Sequence, residues 1–133
     1  MKTLVGGLAP AIVVSHHDHD RLAALADAAL DRLPELAETL LTELGRATLV
    51  ADESVPDTVV RMGSEVSYEA ADGRRTVRLV WPGEADISSG RISVLTPIGT
   101  ALLGLSAGQS IRWTTRDGRE QALTVLSVTP PAL

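Results

Sequence analysis

The stretch ISVLTPIGTALLGL, residues 92–105, decides how the rest of this chain can fold. Its first residues are apolar and favour a buried strand that runs to about Leu95. Thr96 and Pro97 then form a helix N-cap followed by proline at the first helical position. Apolar residues follow at helical spacing, and Gly104 stands where a left-handed C-cap would end the helix. We therefore expect a strand, a sharp corner and a short buried helix.

Two Asp-Gly pairs, at 72–73 and 117–118, predict β-hairpins on either side of this unit. The strand-like runs that flank them are residues 66–69 and 76–81, and residues 110–115 and 121–128. Together with the corner, these runs predict an α+β domain of about five antiparallel strands packed on one short helix.

Two amphipathic helices are predicted earlier in the chain, at 20–32 and 34–49. In each, leucines and alanines form an apolar stripe at a period of 3.6 residues. Proline disfavours helix in the residue before it and can start the next helix, so Leu33-Pro34 separates the two. Such a tight connection requires the helices to fold back as a short antiparallel hairpin.

The tip of this hairpin is acidic, with Asp31 and Glu35 on either side of the break. An acidic segment with loop chemistry follows the second helix at 51–57. We therefore predict two parts: an N-terminal extension and helical hairpin at 1–57, and the sheet domain at 58–133.

Composition narrows the function classes. The chain of 133 residues has no cysteine, which excludes disulfides and thiolate chemistry and fits a reducing cytoplasm. Residues 1–60 carry four basic and ten acidic side chains (−6), and residues 61–133 carry eight and seven (+1), which gives the net charge of −5. An acidic first half argues against DNA contact and suits docking to a positive surface. No apolar run approaches the ~20 residues of a membrane span.

Catalytic motifs are absent from the sequence, which has no Gly-x-Ser-x-Gly, no P-loop and no G-x-G-x-x-G. We therefore expect no enzyme and no cofactor. Glu84 and Asp86 could form a carboxylate pair for acid–base work, but two acids in one loop are more often simply solvated.

All three histidines cluster at His16, His17 and His19, around Asp18. Imidazole and carboxylate groups bind Zn²⁺ or Ni²⁺, so a metal-binding protein is one interpretation. The spacing does not match a His-x-x-x-His pair on a helix. It favours instead a solvated helix start without metal, capped by Ser15 or Asp18.

The pattern ISVxTPIxxALLG at 92–104, with EADI at 84–87 and AGQ at 107–109, also carries a resemblance. It resembles the C-terminal domain of the Gre transcript-cleavage factors of bacterial RNA polymerase, the GreA/GreB family. The layout is most similar to the short-armed branch of that family, the regulators of nucleoside diphosphate kinase (Rnk). The resemblance covers residues 61–128 well and residues 10–60 loosely, and it implies an FKBP-like arrangement of the sheet.

The resemblance implies RNA polymerase as the partner, contacted at the rim of its secondary channel. The contacting corner would consist of Leu95, Thr96, Pro97 and Ile98. An exposed Leu95 would be a small apolar anchor there. Glu84 and Asp86 would form an acidic loop edge beside this contacting face.

In Gre factors, two acidic residues at the tip of a long coiled coil help to hold a catalytic Mg²⁺ inside polymerase. Here Asp31 and Glu35 lie four residues apart, and arms of about 13–16 residues reach only ~20–24 Å. The resemblance therefore implies a regulator that competes with Gre-type factors without stimulating transcript cleavage. The alternative, an FKBP-like peptidyl-prolyl isomerase, needs several aromatic pocket walls, whereas the chain has only three aromatic residues.

Overall fold

The computed structural model of the chain describes residues 11–114 and 117–131. An N-terminal helical arm precedes a C-terminal sheet body. The arm consists of β1 (Val13–Ser15), α1 (His16–Ala29), α2 (Pro34–Arg46) and β2 (Thr48–Val50). The body consists of β3 (Glu65–Ala70), β4 (Gly73–Val80), β5 (Arg91–Ser93), α3 (Pro97–Leu102), β6 (Ser110–Thr114) and β7 (Glu120–Thr129).

The two helices of the arm form an antiparallel hairpin. Four residues connect the end of α1 to the start of α2. The opposite ends are held together because β1 and β2 pair side by side. Helix α1 begins four residues earlier than predicted, because the Ser15 hydroxyl caps it by accepting the Asp18 amide at 3.0 Å.

Strands β1 and β2 form a two-stranded parallel sheet at the base of the arm, in which Val13 lies opposite Thr48. The prediction of helix to residue 49 is wrong here, since α2 ends at Arg46 and the chain continues as a strand. The amide of Thr48 donates to the carbonyl of Ile12 at 2.9 Å, which extends this pairing. The base of the arm is therefore a small sheet rather than a helix end.

The body holds a five-stranded sheet in the order β5-β4-β3-β7-β6. Three neighbouring pairs are antiparallel, as predicted, but β4 and β5 are parallel. The prediction of an antiparallel strand is therefore wrong for β5, which lies at the sheet edge. Strand β5 runs parallel to β4 because of the connection between them. Two 3₁₀ turns (Pro82–Glu84 and Ile87–Ser89) bring the chain back along β4 before β5 begins.

Both predicted hairpins are present. In the first, Gly73 has a φ of 120°, a conformation that strongly favours glycine after the turn at Asp72. In the second, β6 and β7 pair from Ser110 opposite Thr124 to Thr114 opposite Glu120. The predicted strand end at Thr115 lies outside the described residues.

Among the described residues, one hydrophobic core joins the arm to the body, and it is aliphatic apart from Tyr68 and two partly buried tryptophans. Its largest fully buried side chains come from both parts: Ile12, Leu22, Leu40, Leu79, Leu102, Leu103, Leu105, Leu123, Val60, Val66, Val94 and Val125. The α+β class is confirmed, whereas the FKBP-like label and the boundary at residue 57 remain predictions. The predicted extension before residue 10 lies outside the described residues.

Candidate docking corner

Hydroxyl groups fix the corner between β5 and α3. The Thr96 hydroxyl donates to the Ser93 carbonyl at 2.7 Å and accepts the Gly99 amide at 3.0 Å. The Ser93 hydroxyl accepts the Leu95 amide at 2.9 Å. Thr96 is therefore the N-cap of α3, as the sequence predicts, and Pro97 follows it at the first helical position.

Close packing holds α3 against the end of β5. A Cβ atom at Gly99 would collide with the Ser93 carbonyl oxygen and lie 2.9 Å from the Val94 Cα. The buried Thr100 hydroxyl donates to the Val94 carbonyl at 2.8 Å. Because the chain turns within van der Waals contact of its own backbone, the corner is a rigid element.

The corner presents only part of the predicted contact set to solvent. Pro97 is exposed, and Thr96 and Ile98 are half-buried. Leu95 is only 9% exposed and belongs to the hydrophobic core. The expectation that Leu95 is an exposed apolar anchor is therefore wrong, because its side chain stabilises the fold from inside.

The acidic loop lies before β5, with Glu84 exposed at the end of the first 3₁₀ turn. Asp86 caps the second turn: its carboxylate accepts the Ser88 amide at 3.1 Å and the Ser88 hydroxyl at 2.7 Å. Hydrogen bonds from Ser88 and Ser89 hold the pKa of Asp86 below its ordinary value. Asp86 is therefore charged at neutral pH and shapes its own loop.

The arm tip carries Asp31 and Glu35, both exposed. The Glu35 carbonyl accepts the Thr39 hydroxyl at 2.9 Å within the first turn of α2. Helix α1 has 14 residues and α2 has 13. At 1.5 Å per residue each helix spans ~20 Å, so the arm is short.

Residues at the base of the arm, which the sequence does not single out as a group, attach it to the body. Asp18 is 7% exposed, and its carboxylate lies 4.0 Å from the Arg61 guanidinium. Burial raises the pKa of the Asp18 carboxyl, and the Arg61 charge opposes part of that rise. On the next turn of α1, the Arg21 guanidinium stacks 4.3 Å from the ring centre of Trp81.

The histidines do not join Asp18 in a metal site within the described part of the chain. His16 and His17 are exposed at the start of α1, whereas Asp18 faces the body. The His19 ring lies 3.4 Å from Asp20 instead. Within residues 11–114 and 117–131, no three His, Asp or Glu side chains are grouped closely enough to hold a metal ion.

Gly104 connects the corner helix to the base of the arm. It has the predicted left-handed conformation, with a φ of 81° just after α3. Its carbonyl accepts the Val13 amide at 3.2 Å, and its amide donates to the Val60 carbonyl at 2.9 Å. A Cβ atom at this position would lie 2.7 Å from the Ile12 Cβ. The helix C-cap is thus also the point where the arm meets the body.

A polar depression of about 400 Å³ lies on the sheet edge next to the acidic loop. The described residues that line it include no aromatic side chain: they are Glu65, Thr76, Val77, Arg78, Asp86, Ser89, Gly90 and Arg91. It therefore does not supply the aromatic walls that an isomerase pocket needs. None of the helices in the described part of the chain is long and apolar enough to cross a membrane.

Two family models match this chain. Residues 55–130 match the model of the C-terminal domain of the transcription elongation factors GreA/GreB, and residues 10–50 match the model of the Rnk N-terminus. The first match covers more than half of the chain and includes the whole corner.

Individual relatives agree with these models. The chain is 38% identical over 122 residues to the regulator of nucleoside diphosphate kinase of Escherichia coli K12, covering 90% of this chain and 89% of that protein. It is 34% identical over 90 residues to the elongation factor GreA of Mesoplasma florum, covering 64% of this chain and 58% of GreA. These relatives are named as a regulator and an elongation factor, not as enzymes.

A solved structure supports the fold. The prokaryotic transcription elongation factor GreA/GreB from Nitrosomonas europaea superposes with a TM-score of 0.72 at 34% identity, covering 90% of this chain and 99% of that one. The resemblance predicted from the corner motif is therefore confirmed. The chain belongs to the GreA/GreB family of transcription elongation factors, in the branch of the regulators of nucleoside diphosphate kinase.

Proposed function

We propose that this chain is a non-enzymatic, cytoplasmic transcription regulator that docks on RNA polymerase at the entrance of the secondary channel. The observation that carries the proposal is the corner at 96–98, which is rigid, hydroxyl-capped and open to solvent at Pro97. A pre-ordered corner loses little conformational entropy when it binds, which suits a docking element. Thr96, Pro97 and Ile98 remain as contacts in this proposal, while Leu95 supports them from the core.

The arm gives the proposal its second part, which is competition without transcript cleavage. With a span of ~20 Å per helix, the tip stops well short of the reach of the long Gre coiled coil. Asp31 and Glu35 at this tip solubilise it and contact positive groups near the channel mouth. The chain then occupies the docking rim and excludes Gre-type elongation factors without supplying carboxylates to the catalytic metal.

Charge supports the orientation of the arm toward a positive surface. The arm from residue 16 to residue 46 carries seven acidic and three basic side chains, a balance of −4. Asp20, Asp27 and Asp31 are all exposed and recur at helical spacing along and just beyond α1. Such a one-sided acidic face accelerates encounter with a basic partner and weakens binding as salt increases.

The E. coli relative is named for its regulation of nucleoside diphosphate kinase. Under the present proposal that effect runs through transcription. Purified protein should therefore leave the turnover rate of nucleoside diphosphate kinase unchanged when no polymerase is present. A direct change in kinase activity would contradict this part of the proposal.

Binding to core RNA polymerase tests the proposal with matched variants. Pro97→Glu places a charge on the corner at a helix position that accepts acidic residues, so the fold should survive. Ala122→Glu adds the same charge at an exposed position of β7, opposite Arg112 and three strands away from β5. We expect Pro97→Glu to weaken binding by about tenfold or more, and Ala122→Glu to bind like the wild type.

Competition and cleavage assays complete this test. An excess of a Gre factor should displace the wild-type chain from polymerase. Added to a backtracked complex, the chain should not increase transcript cleavage and should reduce the cleavage that a Gre factor stimulates. Absence of binding, or binding that a Gre factor does not displace, would refute the proposed function.

A further inference from the structure

Ile87 is exposed to a degree that is unusual for a large apolar side chain in this molecule. It is 86% exposed, whereas the other exposed large apolar residues in the described part of the chain are only 37–38% exposed: Leu33, Leu49 and Leu126. Burial of such a side chain stabilises a folded protein, and the free chain gains almost none of this stabilisation at Ile87. The isoleucine therefore contributes little to folding.

The turn that carries Ile87 is held rigid by its neighbours. The Asp86 amide donates to the Arg91 carbonyl at 2.8 Å, and the Arg91 amide donates to the Asp86 carbonyl at 3.0 Å. Within this closed loop, the Gly90 amide donates to the Ile87 carbonyl at 3.1 Å, and Asp86 caps the turn through Ser88. An apolar side chain on a pre-ordered turn can be buried by a partner without the cost of ordering the loop.

The charge around Ile87 indicates the chemistry of that partner. Glu84 is exposed three residues earlier, and the adjacent Asp86 carboxylate is 44% exposed. Arg91 lies 3.7 Å from the Asp86 carboxylate and partly offsets its charge. The surface is thus an apolar side chain beside an acidic border, which complements an apolar pocket with a basic rim.

The position of the turn links it to the docking corner. The segment from 82 to 98 contains the two 3₁₀ turns, then the edge strand β5, then the corner. Residues 90–95, which include β5, separate the Ile87 turn from the corner, and six extended residues span at most ~20 Å. Both elements therefore fit within a single protein interface, which has ~800 Å² on each partner.

We infer that Ile87 is the apolar anchor of the polymerase interface and inserts into an apolar pocket with a basic rim beside the site that receives Pro97. This inference rests on the proposed function, because it names the anchor of the same docking surface. It assigns to an exposed turn the role that the sequence suggested for Leu95. Glu84 adds a salt-sensitive contact at the border of the pocket.

The test compares four proteins in binding to core RNA polymerase: the wild type, Ile87→Ser, Ile87→Leu and Leu126→Ser. Leu126 serves as the control because it is an exposed apolar residue on β7, away from the edge strand. We expect Ile87→Ser to bind about tenfold or more weakly, and Ile87→Leu and Leu126→Ser to bind nearly as the wild type. The thermal midpoint of Ile87→Ser should match that of the wild type, because the side chain is exposed.

Salt separates the two kinds of contact. The loss in Ile87→Ser should persist when the salt concentration is raised, whereas the loss in Glu84→Gln should shrink. Wild-type affinity in Ile87→Ser, or equal losses in Ile87→Ser and Ile87→Leu, would overturn the anchor while leaving the proposed function intact. If the wild-type chain does not bind polymerase at all, both the anchor and the proposed function are refuted.

Discussion

The corner at 92–105 and the base of the arm are both rigid, but they reach rigidity in different ways. The corner is held by hydrogen bonds between residues that are two to six positions apart, such as Thr96 with Ser93 and Thr100 with Val94. The base of the arm is held by contacts across long stretches of chain, such as Arg21 with Trp81. The conformation of the corner is therefore determined by its own local sequence, whereas the position of the arm depends on contacts with the body.

The largest expected effect comes from the corner. A methyl group at Gly99 would collide with backbone atoms of Ser93 and Val94, which cannot move without opening the turn. We expect Gly99→Ala to lower the free energy of unfolding by about 3 kcal/mol, measured by urea titration.

Gly45→Ala in α2 is the matched control for this substitution. Apart from the adjacent residues and backbone of its own helix, no atom lies within 4 Å of a Cβ at Gly45. The alanine should therefore raise stability by about 0.5 kcal/mol, because it reduces the entropy of the unfolded chain. Equal responses of the two glycines would show that the corner is not tightly packed.

The next effect tests the junction between corner and arm. Gly104→Ala imposes a side chain on a left-handed residue and drives it against Ile12, so we expect a loss of about 2 kcal/mol. Gly108 is also left-handed, with a φ of 92°, but there is open space around its Cβ position. Gly108→Ala should therefore lower the free energy of unfolding by only about 1 kcal/mol, from backbone strain alone. If both substitutions lower the free energy of unfolding equally, the close packing of Gly104 against Ile12 does not contribute to the stability of the junction.

A smaller effect is expected from the cation–π contact that fixes the arm. Arg21→Ala should lower the free energy of unfolding by about 0.5–1 kcal/mol, since the guanidinium stacks on Trp81 near the surface. Arg32→Ala, at the exposed start of the tip, should change it by less than about 0.5 kcal/mol. A loss at Arg32 that equals the loss at Arg21 would argue against this contact as an attachment of the arm.

The subtlest test is a pH dependence at the base of the arm. Burial raises the pKa of Asp18 above its ordinary value of 3.8, so the folded state binds this proton more tightly than the unfolded state. As the pH falls from 7 toward 4, the wild type should therefore gain stability relative to Asp18→Asn. The other carboxylates titrate in both proteins and cancel in the difference. A difference that stays constant with pH would contradict the assignment.

Sequence reasoning predicts the corner well because its signals are local. Thr96 and Pro97 predict the start of the helix, and Gly104 predicts its end. The Asp-Gly pair at 72–73 predicts the first hairpin. None of these signals needs a partner elsewhere in the chain. The exposed position of Leu95 is an expectation from the resemblance, and the local pattern alone cannot decide whether an apolar residue at a corner faces inward.

The base of the arm was not predicted, because its contacts join distant parts of the sequence. Val13 pairs with Thr48, 35 positions away, in a parallel strand pair that leaves no turn signal. The direction of β5 was missed for a similar reason, since it depends on two short turns rather than on the apolar pattern of the strand. In the sequence, Ile87 stands out only as part of the EADI motif, because exposure is a property of the folded surface.

The absence of cysteine from the chain allows the most direct test of the docking account. Pro97→Cys and Ala122→Cys each introduce a single thiol, one on the corner and one on β7, to which a photoreactive cross-linker can be attached. The account predicts that position 97 cross-links to core RNA polymerase, that an excess of a Gre factor suppresses this product, and that position 122 yields little. Cross-linking from position 122 with none from position 97 would contradict it.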